Sequence, residues 1–403
     1  MNNICFVLNG SLPVPAIKGG AIEQLVEILI KQNEDYHAFE FLVIGPYYED
    51  TIFLKKNYQH TKFIDIKYSK IWNQRLGTFR AVINKFFHKD YALLSAYNYK
   101  VEQYLLKNGN TFDYIINEHA DDGLFLRPAK KYGKEKFINH LHMTTKANEI
   151  ILRAFQSYIS VSQYVQDYFI ETSNNLNRQY AILYNRVEIQ KFNKALSQEE
   201  YKQMKEKLGF KNEDFIVTYC GRIKNFKGIK ELVKTILSIE NKHIKLMVIG
   251  ASETTGKVSS YESEVKELTQ REQERFVFTG YINNADLYKY YKISDIGVIP
   301  TTCEEAFNMV ILEMMASGLP TIATKSGGMV EVGDDTTTIY IDKGPNLIDN
   351  LRNAILQLFE SSQQRQEMRV ASKERAKLFD SSQYLLNFRD IISRLRKFDK
   401  KMI

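Results

Sequence analysis

TTCEEAFNMVILEMMASGLPTIATKSGG, residues 301–328, predicts a buried helix, a short strand and a glycine loop in succession. Residues 307–315 are almost all apolar, which is typical of a helix that is buried on most sides. Gly318 and Pro320 give the expected helix end, because a C-terminal glycine precedes a residue that cannot continue a helix. The TIA and SGG runs that follow predict a buried strand and a loop with room for a ligand.

Two glutamates accompany this helix. Glu305 lies just before it and Glu313 lies inside it, where an unpaired carboxylate would be costly, so we expect a specific hydrogen-bonding partner for Glu313. The helix start near residues 306–308 offers free N–H groups and a positive dipole end, which suit a phosphate. Carboxylates suit sugar hydroxyls instead. The arrangement predicts a nucleotide diphosphate sugar as ligand; the alternative is a core helix whose glutamate pairs with a structural arginine.

The length of 403 residues suggests about two to three domains, and the composition is that of a folded soluble protein. No signal peptide or bilayer-spanning run is recognised, so we expect a cytoplasmic location. Cys5, Cys220 and Cys303 are far apart and odd in number, and they fit neither a disulfide framework nor a zinc site. The net charge of +7 could serve a membrane face or an anionic substrate, and alone it does not indicate nucleic acid.

The chain opens with the pattern of a Rossmann-like unit. Residues 4–8 predict a strand buried on both faces, residues 10–20 a loop, and the spacing of apolar residues from Ile22 onward a helix. This places Gly19 and Gly20 where backbone can approach a phosphate or a sugar. The loop lacks GxGxxG, which disfavours a nicotinamide-dependent dehydrogenase, and a plain tight turn remains the alternative.

Buried strands recur in both halves of the chain. They are predicted at residues 41–44, 114–116, 137–138, 158–161, 215–219, 246–249, 276–278, 296–299 and 321–323. We therefore expect an α/β protein of two doubly wound domains, residues 1–185 and residues 186–380. An amphipathic helix is predicted at about residues 381–403, and its packing back on the first domain is left open.

Polar side chains follow several of these strands. Arg222 and Lys227 are cations at the carboxyl end of a strand beside a helix start, which suits a diphosphate, although surface cations are common. His119 and His142 each follow a predicted strand at the edge where open parallel sheets bind ligands. A lone histidine is more often structural, so both interpretations stay open.

Residues 70–90 mix aromatic and basic side chains. Such a segment could rest on an anionic membrane surface. Its basic residues wind around a helix instead of forming one polar face, so an ordinary half-buried helix is the alternative.

Taken in order, these motifs resemble the retaining family 4 glycosyltransferases, which have two facing Rossmann-like domains with a cleft between them (GT-B). Their signature of two glutamates separated by seven residues appears as Glu305-AFNMVIL-Glu313. Other similar segments are GGAIE at 19–23, SVS at 160–162, YNRV at 184–187, GR at 221–222, KG at 227–228, FTG at 278–280 and SGG at 326–328. LPVPAIKGGAIE, residues 12–23, is most similar to bacterial enzymes of surface, capsular or spore-coat polysaccharide synthesis.

The resemblance implies a role for each matched position. Arg222 and Lys227 would hold the diphosphate, Glu313 would hold the ribose, and Glu305 would hold the transferred sugar. Backbone at Phe307, Asn308 and Met309 would hold the distal phosphate and sugar. Tyr281 and Ile282 would border the base. Gly19 and Gly20 would cover the phosphates from the other domain, and His119 or His142 would face the reacting centre. Asn308 stands where the family usually has glycine.

The activity implied is a metal-independent, retaining hexosyl transfer with no cofactor. A hexose or N-acetylhexosamine would pass from a nucleotide diphosphate sugar, most commonly UDP-linked, to a growing lipid-linked bacterial surface glycan. The expected location is the cytoplasm, with peripheral contact at the inner membrane face left open, and no nucleic-acid partner is expected. A sugar-nucleotide epimerase and a non-catalytic glycosyltransferase-like subunit are the alternatives.

Overall fold

The computed structural model describes residues 2–69, 95–173, 177–252 and 258–402, with side chains up to residue 395. The segment at residues 70–90, for which membrane contact was one interpretation, lies outside the described residues. The chain forms two compact units, Met1–Asn185 with Ser382–Ile403, and Arg186–Ser381. No helix within the described ranges is long and apolar enough to cross a membrane.

The described part of the first unit forms a seven-stranded parallel sheet in the order β3-β2-β1-β4-β5-β6-β7. Its strands are β1 (Asn2–Leu8), β2 (Phe39–Pro46), β3 (Thr61–Ile66), β4 (Tyr114–Glu118), β5 (Phe137–Leu141), β6 (Ser157–Ser160) and β7 (Gln179–Ile182). Its helices before residue 186 are α1 (Ala21–Tyr36), α2 (Ile52–Lys55), α3 (Ala96–Asn108), α4 (Leu126–Tyr132), α5 (Glu149–Ala154) and α6 (Gln163–Ser173). The apolar run in β1 lies in the middle of this sheet and is fully buried, as a central parallel strand requires.

The second unit forms a six-stranded parallel sheet among its described residues, in the order β10-β9-β8-β11-β12-β13. Its strands are β8 (Phe215–Cys220), β9 (Ile244–Ile249), β10 (Phe276–Gly280), β11 (Ile296–Ile299), β12 (Thr321–Thr324) and β13 (Thr338–Ile341). Its helices are α7 (Ile189–Phe192), α8 (Gln198–Lys207), α9 (Ile229–Ser238), α10 (Ser260–Leu268), α11 (Leu287–Ile293), α12 (Met309–Ala316), α13 (Leu347–Glu360) and α14 (Ser362–Ala376).

The final helix, α15 (Tyr384–Met402), belongs to the first unit although it follows the second in sequence. Leu385 and Phe388 join the first unit's apolar core, and the Leu385 N–H donates to Oε1 of Gln32 on α1 at 2.9 Å. Burial of this apolar face accounts for the amphipathic pattern seen in the sequence.

The predicted fold class, two Rossmann-like α/β domains, is confirmed. In the key stretch the helix begins at Met309, two residues later than the apolar run suggested, because Asn308 caps it. Three strands were not predicted: β3, β7 and β13. Each lies at an edge of its sheet.

Candidate functional site

The carboxyl ends of β8, β9 and β10 meet through three glycines. The Gly250 N–H donates to the Gly280 carbonyl at 2.8 Å, and the Gly221 N–H donates to the Ile249 carbonyl at 2.9 Å. A Cβ on Gly250 would lie 2.1 Å from the carbonyl oxygen of Gly221. The backbones therefore approach more closely than side chains would permit, at the sheet edge where α/β proteins bind ligands.

Lys227 and Glu305, predicted to touch different parts of the donor, form a pair in this structure. The chain leaves β8 through a 3-10 turn, Asn225–Lys227, and Gly228 with φ +71°. A Cβ on Gly228 would lie 1.8 Å from the carbonyl oxygen of Pro300, so this close approach requires glycine. The turn presents Lys227 Nζ to Glu305 Oε1 at 2.5 Å, with both side chains largely buried.

The loop after β12 holds the backbone around Glu305. The Glu305 N–H donates to Ser326 Oγ at 3.1 Å, and the Gly328 N–H donates to the Glu305 carbonyl at 2.8 Å. Ser326 Oγ in turn donates to the Cys303 carbonyl at 2.6 Å. The glycine loop, where we expected room for a ligand, thus holds the backbone of Glu305, whose carboxylate pairs with Lys227.

Asn308 is the N-cap of α12. Its Oδ1 accepts a hydrogen bond from the Ile311 N–H at 3.1 Å. The expectation of free N–H groups at this helix start is therefore corrected for Ile311, whose N–H is already satisfied. Phe307 is buried with its ring centroid 6.0 Å from that of Phe379, and Met309 is the first helical residue.

Glu313 is buried on α12 and its carboxyl has specific partners, as predicted. Asn284 Nδ2 donates to Oε1 at 2.8 Å and the Tyr291 hydroxyl donates to Oε2 at 3.2 Å. Lys191 Nζ donates to Oδ1 of the same Asn284. The alternative of a structural arginine is wrong, since the partners are an amide and a phenol. Burial raises the pKa of Glu313 to about 7, although both hydrogen bonds lower it.

Arg222, Tyr281 and Ile282 lie in the loops that follow β8 and β10. Arg222 is exposed, and its guanidinium forms no ion pair with any described residue. Tyr281 is exposed at 51% and Ile282 is half-buried. The cation at position 222 is therefore available to an anionic ligand.

In the first unit, the glycine pair that starts α1 is covered by a carboxyl group. Gly20 is the N-cap residue with φ +96°, and a Cβ there would lie 2.1 Å from Glu23 Oε2. Gly19 closes a turn by donating its N–H to the Ala16 carbonyl at 3.1 Å. Burial raises the pKa of Glu23 to about 7, and the charge of Glu118 adds to this rise. A phosphate approaching Gly20 would meet the side chain of Glu23.

His142 contacts a buried carboxylate, whereas His119 stands in an exposed left-handed conformation with φ +65°. Glu118 accepts from His142 Nε2 at 2.5 Å, and both of its oxygens lie 3.1 Å from His140 Nδ1. Burial alone would raise the pKa of Glu118, but the two imidazoles lower it to about 2. Burial lowers the pKa of His142 to about 4. Glu118 is thus a carboxylate that accepts from a neutral His142.

Sequence reasoning missed several residues of these arrangements. Asn284 and Tyr291 carry no local signal, since they meet Glu313 only through the fold. One signal in the sequence could have indicated Glu118 and His140. The His-x-His spacing at residues 140–142 follows one predicted strand, and Glu118 follows the predicted strand before it.

Comparison with known proteins finds a family match within the second unit. Residues 200–375 match the family model Glycosyl transferases group 1. That match includes Arg222, Lys227, Glu305 and Glu313, and so covers the second unit's candidate site. Two relatives and one solved structure illustrate the likeness.

An uncharacterized glycosyltransferase MJ1607 of Methanocaldococcus jannaschii is 30% identical over 43% of this chain and 43% of that protein. A lipopolysaccharide 1,2-N-acetylglucosaminetransferase of Salmonella typhimurium is 27% identical over 44% of this chain and 46% of that protein. The matched part of this chain thus spans less than half the length of either relative.

The structure of Anabaena Alr3699/HepE in complex with UDP-glucose aligns with 98% of this chain and 100% of that chain, at a TM-score of 0.74 and 19% identity. At this identity the likeness shows a shared fold. It agrees with the two parallel-sheet units described above.

Proposed function

We propose that this protein is a retaining hexosyltransferase. It moves a hexose or N-acetylhexosamine from a nucleotide diphosphate sugar, UDP-linked, to a growing lipid-linked bacterial surface glycan. The observation that carries the proposal is the contact of 2.5 Å between Lys227 Nζ and Glu305 Oε1 at the carboxyl edge of the second sheet. A cation and a carboxylate at that edge suit the diphosphate and the sugar of one ligand.

Donor binding exchanges the partner of Lys227. Without donor, Glu305 neutralises the lysine; a diphosphate carries more negative charge and recruits Lys227 together with the exposed Arg222. Glu305 is then free to accept hydrogen bonds from hydroxyls of the transferred sugar. The same carboxylate therefore balances the charge of the free site and orients the sugar in the occupied one.

The remaining donor contacts follow from the placement of the other residues. Glu313, held by Asn284 and Tyr291, retains lone pairs for the ribose hydroxyls, since each carboxylate oxygen can accept two hydrogen bonds. Tyr281 and Ile282 border the base. Backbone at Phe307, Asn308 and Met309 faces the distal phosphate and sugar.

The transfer step uses one carboxylate beside the sugar, Glu305. Retention through two carboxylates would need a second one about 5 Å away. We therefore favour attack by the acceptor hydroxyl on the same face as the departing diphosphate, which takes the proton. Arg222 and Lys227 stabilise the charge that develops on the diphosphate, so the step needs no metal ion and no cofactor. Gly19 and Gly20 cover the donor phosphates, and His119 or His142 faces the reacting centre.

The acceptor class is supported by the activities of similar proteins. One relative is a lipopolysaccharide 1,2-N-acetylglucosaminetransferase, and a protein of the same fold binds UDP-glucose. A surface-glycan enzyme works in the cytoplasm or at the inner membrane face, and the transfer itself involves neither nucleic acid nor a metal ion.

The test combines a panel of UDP- and GDP-sugars with synthetic polyprenyl-diphosphate mono- and oligosaccharides. We expect nucleotide diphosphate release that requires an acceptor, and a product linkage with the donor's anomeric configuration, read by proton NMR. An inverted linkage would overturn retention. Conversion of the donor sugar without acceptor would indicate an epimerase. Donor binding without turnover on any acceptor would indicate a non-catalytic subunit.

A further inference from the structure

Glu118, His140 and His142, here called the Glu-His-His cluster, project from two neighbouring strands of the first unit. Parallel pairing of Asn117 with Asn139 places Glu118 opposite His140. His142 follows His140 by two residues, so its side chain returns to the same face of the sheet. Glu118 and the two histidines, which are more than 20 residues apart in sequence, therefore meet on one face at one edge of the sheet.

The three side chains offer donor atoms at the spacing of metal ligands. One ligand atom from each lies within 4.8 Å of the other two. Two ligands of a tetrahedral ion with bonds of about 2.0–2.1 Å stand roughly 3.3 Å apart. Glu118 and His140 are already 3.1 Å apart, whereas the contact of 2.5 Å between Glu118 and His142 would lengthen by less than one ångström. Small side-chain rotations suffice to admit an ion.

A purely structural hydrogen-bonded triad does not account for the cavity beside the cluster. His140 and His142 line a cavity of about 380 Å³, together with His119, Asp121 and Asp122. This cavity leaves room beside the two histidines for a further ligand of a bound ion.

We propose that the Glu-His-His cluster binds a divalent transition-metal ion of the zinc class. Glu118 supplies an oxygen, His140 its Nδ1 and His142 its Nε2. The cavity provides the fourth position for water or a bound group. Two imidazoles and one carboxylate with an open position form a ligand set suited to zinc and unsuited to magnesium or calcium.

This inference goes beyond the proposed transfer and differs from the expectation of no metal site. That expectation rested on the cysteines and on the lack of a carboxylate cluster, and neither criterion detects ligands shared between two strands. The ion takes no part in holding the diphosphate, which we assign to Arg222 and Lys227. With His142 bound to the ion, His119 remains to face the reacting centre.

The test uses the whole chain after treatment with a chelator. Calorimetric titration with Zn²⁺ should show one ion bound per chain with micromolar or tighter affinity. Co²⁺ should give the intense visible absorption of a tetrahedral nitrogen and oxygen site, saturating at one equivalent. Absence of stoichiometric Zn²⁺ binding, or a Co²⁺ spectrum identical to that of the free aqueous ion, would overturn the proposal.

Variants identify the ligands. We expect Glu118→Gln and His142→Gln to weaken Zn²⁺ binding at least tenfold, with loss of the Co²⁺ absorption. His60→Gln is the matched control, because His60 lies beside His37, with ring centroids 3.9 Å apart, and near Glu40 in the same unit. This control should bind as the unsubstituted chain does. Loss of binding in His60→Gln, or full binding in both cluster variants, would contradict the assignment.

If Glu118→Gln fails to fold, His142→Gln and the Co²⁺ spectrum of the unsubstituted chain still show whether the Glu-His-His cluster binds the ion. Neither measurement depends on glycosyl transfer, so an absent transferase activity leaves the result interpretable.

Discussion

Glu313 is a buried carboxyl whose charge state depends on pH near neutrality. Burial raises its pKa from 4.5 to about 7. A raised pKa means that the folded chain holds the proton more tightly than the unfolded chain. The associated stability is fully present below about pH 4.5 and is lost as the pH rises through about 7. The difference corresponds to roughly 3 kcal/mol.

We therefore expect Glu313→Gln to remove this pH dependence. The amide cannot ionise, so the unfolding free energy of the variant relative to the unsubstituted chain should rise by up to roughly 3 kcal/mol between about pH 5 and pH 8. Urea denaturation at both pH values measures it. Glu304→Gln, at an exposed carboxylate, should show no such change. An equal effect of pH on both variants would mean that the Glu313 carboxyl is not desolvated.

Arg222 and Lys227 are expected to contribute separately to diphosphate binding. Each substitution to alanine removes a charge-assisted contact of roughly 1.5–3 kcal/mol, which weakens UDP binding by about tenfold to a hundredfold. Calorimetry with UDP measures the loss. Lys230→Ala is the control, since Lys230 lies near Lys227 in sequence but pairs with Glu264. If neither variant at position 222 or 227 weakens UDP binding, the phosphate site is elsewhere.

Glu305 is expected to act on the sugar and not on the nucleotide. Glu305→Gln removes the charge that pairs with Lys227, so affinity for UDP should stay equal or improve, while the transfer rate falls. Parallel measurement of UDP binding and of turnover separates the two effects. Glu304→Gln serves as control, because Glu304 is the neighbouring residue and its carboxylate pairs with Lys343 instead of Lys227. A loss of UDP affinity with normal turnover would reverse the assignment.

At the scale of single elements, two glycines with nearly equal backbone angles meet different surroundings. Gly228 has φ +71° and Gly280 has φ +72°. A Cβ on Gly228 would lie 1.8 Å from the Pro300 carbonyl oxygen, whereas a Cβ on Gly280 would meet nothing within 4 Å. Substitution at Gly280 therefore carries only the cost of a left-handed residue, roughly 1–2 kcal/mol.

Gly228→Ala should cost clearly more stability than Gly280→Ala, because it must also move the backbone of the loop or of Pro300. Urea unfolding of both variants provides the comparison. Since this loop carries Lys227, we also expect weaker UDP binding in Gly228→Ala. Equal stabilities would show that the loop after β8 tolerates displacement and does not hold Lys227 rigidly.

The sequence was sufficient for the central strands and for the edge strand β10, but not for the other three edge strands. Central strands such as β1 and β8 are continuous apolar runs because both faces are covered. The strands β3, β7 and β13 lie at sheet edges and are partly exposed, so polar residues interrupt them. A search for continuous apolar runs cannot detect such strands.

The candidate site could likewise be predicted only in part from the sequence. The pair Glu305 and Glu313 could be recognised from its spacing, because one short stretch contains both residues. Their partners could not be predicted, since Lys227 lies 78 residues from Glu305 and reaches it only through the fold. Asn308 could be read only as a departure from a family pattern, whereas in the structure it is a helix cap.

At the scale of the whole molecule, α15 connects the end of the chain to the beginning of the first unit. The Phe388 ring lies 5.9 Å from that of Phe6 and 5.5 Å from that of Phe39, measured between centroids. These rings belong to β1 and β2, near the middle of the first sheet. Phe388 is therefore part of the core that β1 and β2 form.

Phe388→Ala should accordingly destabilise the first unit by roughly 3–5 kcal/mol, the usual cost of removing a buried phenyl ring. Hydrogen exchange followed by mass spectrometry should show lost protection in β1 and β2, while β8 and β9 keep theirs, because their strands belong to a separate core. Arg389→Ala, on the exposed face of the same helix, should leave both units protected. Equal loss of protection in both sheets would show that the two units unfold together. Unchanged protection in β1 and β2 would show that α15 is dispensable to the first core.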